Sequence, residues 1–371
     1  MNKLIIHIGS PRTASTAIQN VLVDQDVFLK NHSIFYGNYT YIKHVDGYSH
    51  HNLLWAIADE IYKVLKILPL YEILESPQII ADKIIENARL NSCDTILLSC
   101  ELFFYTIFDS HLKIKGIRVT KEQIQQAFSY SVNIFKKLFQ GFDIKIVCYI
   151  RRQDLFIESF FNQFVYESSP DFFKTISGHN NDLLNVMDFP FQNDSDTPGF
   201  NKAFMVLFNY TNYYEILKEW VSAYGLDNVI IRPFEIDQLN GDILNDFFKN
   251  GLGLKLPDTL TESVKNNSLN RDCIEYLLRL QMRDAGQMLR NISKIMNMTK
   301  SNNLYFSDSE RSSLMDFHKK GNEAIARDFL QRENGILFYE ELPQNNVGYS
   351  GLTEEIIFNI TRELLLNQLR N

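Results

Sequence analysis

The sequence predicts an α/β protein: a parallel sheet flanked by helices, with a helical C-terminal extension. Three observations predict it. The short runs Leu4–Ile8, Thr95–Ser99 and Ile144–Ile150 are apolar on both faces, as strands covered on both sides must be. Each is followed by a stretch of helical spacing, the alternation that builds βαβ units and hence a parallel sheet. From about residue 258 onward the apolar pattern is helical only.

Taken in order, Leu4–Ile8 ends at Gly9, a turn residue, and from Thr16 the spacing of Ala17, Val21 and Leu22 suits a helix. Residues 30–60 are mixed, and a loop there leads into a helix over Asn52–Leu68. Pro77–Ala88 is a second helix, and the strand Thr95–Ser99 has Glu101 close behind it. A helix over Lys121–Leu138 is broken by Gly141, before the strand Ile144–Ile150 and a Phe-rich helix over Leu155–Tyr166. The polar stretch 168–202 interrupts the rhythm and reads as a surface segment, a lid or acceptor loop. A helix over Tyr213–Ala223, Gly225 and a strand over Val229–Arg232 ending at Pro233 complete the alternation. Ile274–Asn291, Asp308–Arg332 and Thr353–Leu366 read as helices. The division expected is an α/β core over residues 1–257 and a helical region over 258–371 packed on it.

Composition narrows the classes. With 371 residues, 45% apolar and 22% charged, the chain can bury a thick core and is not a disordered one. A formal charge of −8 removes the global electrostatic case for nucleic acid or an anionic membrane as partner. Cys93, Cys100, Cys148 and Cys273 show no paired spacing and read as core thiols of a reducing compartment. No run approaches the ~18 apolar residues of a membrane span, and the run after Met1 is too short for a signal-peptide core. A cytoplasmic protein is expected.

The segment Gly9-Ser10-Pro11-Arg12-Thr13-Ala14-Ser15-Thr16 joins the first strand to the first helix. At such a junction backbone N–H groups and the helix dipole favour an anion. Thr13, Ser15 and Thr16 offer hydroxyls, and Arg12 offers a fork that grips phosphate or sulfate. An ordinary capped turn is the plain alternative. The setting is P-loop-like, but the sequence lacks G-x-x-x-x-G-K-[ST] and is no Walker A loop. A second basic point, Arg151, closes the strand Ile144–Ile150, and Ser159 follows eight residues later. A residue at the carboxyl end of a parallel strand faces the ligand crevice of an open α/β sheet.

Both segments carry a resemblance. Pro11-Arg12-Thr13-Ala14-Ser15-Thr16 resembles the 5′-phosphosulfate loop of the PAPS-dependent sulfotransferases, with Arg12 in place of their Lys and Ala14 in place of their Gly. The Gly-to-Ala exchange is tolerable only where residue 14 keeps φ < 0. Arg151 with Ser159, in the string Tyr149-Ile150-Arg151-Arg152-Gln153-Asp154, resembles the family's 3′-phosphate motif in its bacterial, carbohydrate-directed branch. Val229–Glu235, Lys265–Leu269, Ile325–Phe329 and Gly335–Phe338 are similar to bacterial members as well. The resemblance implies sulfuryl transfer from PAPS, leaving PAP, to a hydroxyl or amine of a glycan, glycolipid or small-molecule acceptor. It further implies a donor site of Pro11, Arg12, Thr13, Ala14, Ser15, Thr16, Arg151, Ser159 and Lys265.

Such a transfer needs positive charge on the departing phosphate, for which Arg12 is the candidate, and a base for the acceptor's proton. Glu101, in a Ser99-Cys100-Glu101 segment similar to the family's Ser-Ser-Glu, is one candidate base. The pair His50-His51 is the other, since imidazole titrates near neutrality. No metal is expected: H-E-x-x-H is absent, and His44, His50 and His51 have no carboxylate at ligand spacing. Two other functions remain open at this level, a P-loop kinase of a small molecule and a non-catalytic nucleotide- or partner-binding protein.

Overall fold

The computed structural model describes residues 2–37, 49–64, 75–105, 121–167, 211–257, 270–280, 306–344 and 351–368. In chain order the strands are β1 (Lys3–Gly9), β2 (Ile34–Phe35), β3 (Thr95–Ser99), β4 (Asp143–Ile150) and β5 (Val229–Pro233). The helices are α1 (Ser15–Asp24), α2 (Asp26–Asn31), α3 (His51–Val64), α4 (Pro77–Leu90), α5 (Lys121–Leu138), α6 (Gln153–Glu167) and α7 (Tyr213–Tyr224). They continue with α8 (Ile243–Asp246), α9 (Arg271–Leu280), α10 (Asp308–Ala324) and α11 (Glu354–Gln368). The expected strands and helices are thus present where described, with ends moved by a few residues. The expected lid stretch 168–202 lies outside the described residues, as do His44 and Lys265.

The chain forms two compact units, and neither is contiguous. One comprises residues 1–151, 213–264 and 321–339; the other comprises 152–212, 265–320 and 340–371. This division does not follow the boundary expected at 257/258: the chain leaves the α/β unit right after Arg151 and re-enters it twice. Sequence periodicity marks elements but not where the chain crosses between bodies, so a boundary inside a βα connection leaves no compositional trace.

In the first unit the five strands lie in the order β2-β3-β1-β4-β5, and every pair is parallel. Six of the seven β1 residues are buried and all five of β3, as expected of strands covered on both faces. Ile5, Leu97, Val147 and Tyr149 share one face with Ile18 and Leu22 of α1, Leu29 of α2, and Phe247 and Phe248 beyond α8. Their alternates point the other way, where α4 meets β3 and α7 meets β4 and β5. The two-residue β2, beside β3, lies in the region read as a loop. After β1 the chain turns toward the β2 edge, and after β4 toward the β5 edge. The adjacent carboxyl ends of β1 and β4 are thus a topological switch point, where open α/β sheets bind ligands.

The second unit is held around buried charge. Arg311 of α10 is fully buried and pairs with Asp154 and with Glu158 (2.8 Å) of α6. Arg152 is 3% exposed; its guanidinium grips Asp154 (2.8 and 3.1 Å) and donates to the carbonyls of Glu340 and Glu341. Burial alone would raise the Asp154 pKa, but the hydrogen bonds and charges of Arg152 and Arg311 outweigh it and hold the carboxyl below its ordinary value.

Candidate functional site

The loop after β1 starts at Gly9, and only glycine fits there. Its φ is +101°, and a Cβ would lie 2.7 Å from the Glu101 carbonyl oxygen and 2.8 Å from the Glu101 Cα. The absence of a side chain at residue 9 is therefore what lets Glu101, two residues past β3, lie against the loop after β1. The Ser10 amide donates to the Tyr149 carbonyl (2.6 Å), tying the loop to the end of β4.

Inside the loop the roles expected of the hydroxyls change. Thr13 Oγ1 (2.5 Å) and Ser15 Oγ (3.5 Å) both donate to the Ser10 carbonyl, so they staple the loop to itself. Thr16, in contrast, is exposed. Arg12 and Ala14 have φ of 66° and 62°, with Thr13 between them outside the left-handed region. The condition of φ < 0 at Ala14 is thus not met: the loop keeps the backbone that a glycine would take, at a cost of about 1 kcal/mol. Alternating left-handed residues turn successive N–H groups to one side, the concave nest that holds anions. Ala14 is also the N-cap of α1 and has no side chain to cap it. Pro11 is buried and Arg12 half-buried.

Arg151 follows the last residue of β4, is half-buried, and donates from Nη1 to the Arg12 carbonyl (3.2 Å). Its guanidinium also lies 5.9 Å from the centre of the Phe234 ring. Arg12 and Arg151 are therefore brought together at the switch point. Ser159 is buried on α6 and belongs to the second unit.

A polar group adjoins the loop. Glu101 opens a short 3-10 turn, Glu101–Phe103, after β3. Gln19 of α1, only 4% exposed, donates to Glu101 Oε2 (2.8 Å) and to Ser99 Oγ (3.3 Å). The other carboxylate oxygen, Oε1, lies 3.9 Å from His51 Nε2, and His51 Nδ1 contacts Ser49 Oγ. Side-chain exposures of 19% for His51 and 22% for Glu101 leave both in reach of solvent. Cys100 is fully buried; burial, and then the Glu101 charge, push its thiol pKa well up.

His50 is different. Its Nδ1 accepts from the Ser99 amide (3.0 Å) and its Nε2 lies 2.9 Å from the Gly37 carbonyl, to which it donates. Burial pushes its pKa down to about 4. With both ring nitrogens committed to backbone, His50 holds the start of α3 beside β3 and is removed from the candidate bases. His51 and Glu101 stay.

Sequence reasoning missed Gln19, Ser49 and the orientation of His51. The signal for Gln19 was present: it stands four residues after Ser15, one turn along the same helix face. For His51 no signal existed, because its carboxylate partner is 50 positions away and is supplied by the sheet. Sequence spacing puts no carboxylate beside these histidines, but the fold does: His51, Cys100 and Glu101 each place a ligand-type atom within 4.8 Å of the others.

No family model matches the chain. An uncharacterized protein of Archaeoglobus fulgidus is 24% identical over 230 residues, covering 56% of this chain and 52% of that protein. The chain spans about half the length of the curated relative it matches.

Proposed function

We propose that the protein transfers a sulfuryl group from PAPS to a hydroxyl or amine of an acceptor, a glycan or glycolipid in the first instance. The observation that carries the reading is the meeting of two arginine-bearing segments at one switch point, with Arg151 Nη1 3.2 Å from the Arg12 carbonyl. In this reading the nest over Arg12–Ala14 and the uncapped start of α1 receive the 5′-phosphosulfate, and Arg151 receives the 3′-phosphate. The acceptor oxygen forms its bond to sulfur as the bridging S–O bond to the 5′-phosphate breaks. Arg12 and the loop amides stabilise the departing phosphate charge. The acceptor's proton passes to the Glu101 carboxylate or to His51, which flank one 3.9 Å gap beside the loop.

Turnover of radiolabelled PAPS against a panel of glycans, glycolipids and phenols tests the activity. Calorimetric titration of PAP against ATP tests the donor class: binding of PAP alone is expected, and a preference for ATP with magnesium would favour a kinase. Glu101→Gln is expected to lower turnover by about 10²-fold or more while leaving PAP affinity unchanged. Full activity in that variant would remove Glu101 from the reaction.

A further inference from the structure

We propose that His51 Nε2, Glu101 Oε1 and Cys100 Sγ form a binding site for a zinc-class divalent cation, with a fourth position open toward solvent. The three atoms lie within 4.8 Å of one another, and the imidazole and carboxylate atoms are 3.9 Å apart. Tetrahedral bonds of roughly 2.0–2.3 Å put ligand atoms about 3.5 Å apart, so closure needs shifts of about 1 Å. His51 and Glu101 are partly exposed and have room to make them. A mixed nitrogen, sulfur and oxygen set suits zinc or cobalt and is poor for magnesium or calcium, which take oxygen alone.

The stronger argument is what holds the non-ligating sides. Metal ligands are usually fixed by a hydrogen bond on the atom that does not touch the metal. Gln19 donates to Glu101 Oε2 (2.8 Å), leaving Oε1 as the atom turned toward the cluster. Ser49 Oγ contacts His51 Nδ1; with the proton on Nδ1 and donated to that oxygen, Nε2 carries the lone pair. Cys100 is fully buried where β3 gives way to the Glu101–Phe103 turn, whose Phe103 amide donates to the Cys100 carbonyl (3.1 Å) and fixes the backbone that carries the sulfur. The imidazole and the carboxylate are thus already oriented from behind, and the thiol is fixed by burial. These are supports that a chance cluster of three polar residues would lack.

Binding converts the Cys100 thiol to a coordinated thiolate, and the S–H proton leaves to solvent as the metal–sulfur bond forms. A metal there also occupies the two atoms offered to the acceptor's proton, so a loaded site would block transfer. That consequence rests on the proposed sulfuryl transfer, whereas the binding itself does not.

The test is titration of the full chain with cobalt(II), without nucleotide, followed by absorption. A thiolate-to-cobalt charge-transfer band in the near ultraviolet is expected, together with the strong visible bands of four-coordinate cobalt and release of one proton per metal. In Cys100→Ser the charge-transfer band should vanish. Cys93, Cys148 and Cys273 are not part of this cluster and should not supply it. His51→Ala should weaken binding by at least tenfold. Gln19→Leu, which alters no ligand, should weaken it by about 10–100-fold. A spectrum unchanged from aqueous cobalt, or a band that survives in Cys100→Ser, would overturn the site. So would an affinity indifferent to His51→Ala.

Discussion

The carboxyl edge of the sheet and the ion cluster of the second unit both gather arginines and carboxylates, and they do so in opposite ways. Around Arg311 every charged partner is buried: Arg152, Asp154 and Glu158 are each no more than 3% exposed. Around the β1 loop Arg12, Arg151, Glu101 and His51 are all half-buried. Arg151 and Arg152 are consecutive, yet one anchors on a loop carbonyl at the edge while the other disappears into the cluster. Charges enclosed and matched in this way serve architecture. Charges kept at an edge, supported from behind but reachable by solvent, are placed for a ligand.

The largest effect that tests this contrast is Arg311→Leu, which strands Asp154 and Glu158 in the interior. A loss of about 3–5 kcal/mol is expected in urea unfolding of the second unit. Arg151→Ala, at a half-buried position, should cost far less, about 1–2 kcal/mol. Equal losses would mean that Arg151 is as architectural as its neighbour.

Acid should separate the units next. Burial depresses His7 to about 3 and His50 to about 4 in the first unit, and His318 to about 4 in the second. Each stays neutral when folded, while the unfolded chain takes up protons below about pH 6.5. The stabilisation is therefore complete above pH 6.5 and is lost as pH falls toward 4, at about 1.4 kcal/mol per pH unit per histidine. With two such histidines among its described residues against one, the first unit should lose hydrogen-exchange protection about twice as steeply in that window. A steeper loss in the second unit would contradict the assignment.

The smallest effect is Ala14→Gly. Relief of the left-handed strain at φ 62°, less the entropy of a new glycine, should raise stability by about 0.5 kcal/mol. Destabilisation in thermal melts would mean that the loop does not hold this backbone.

Much of the fold was legible because its signals are local. Thr95–Ser99 and Lys121–Leu138 carry unbroken strand and helix patterns, and their observed ends coincide with the expected ones. Ile34–Phe35 was illegible, since two residues carry no period and are a strand only because β3 lies beside them. Positions 12 and 151 were legible as an arginine in a strand–helix turn and an arginine at a strand end. Their nearness was not, because β1 and β4 become neighbours only in the sheet. The same holds for His51 with Glu101, and for Arg152, whose burial depends on Asp154 and on Arg311 far along the chain.

The claim that one nucleotide engages Arg12 and Arg151 together is tested most directly by titrating PAP and 5′-AMP into the wild-type protein and into Arg151→Ala. The two ligands differ by the 3′-phosphate alone. The account predicts that Arg151→Ala weakens PAP by about 10²-fold, as expected for a lost charged hydrogen-bond pair, and leaves 5′-AMP unchanged. An equal loss for both ligands, or none for either, would contradict it.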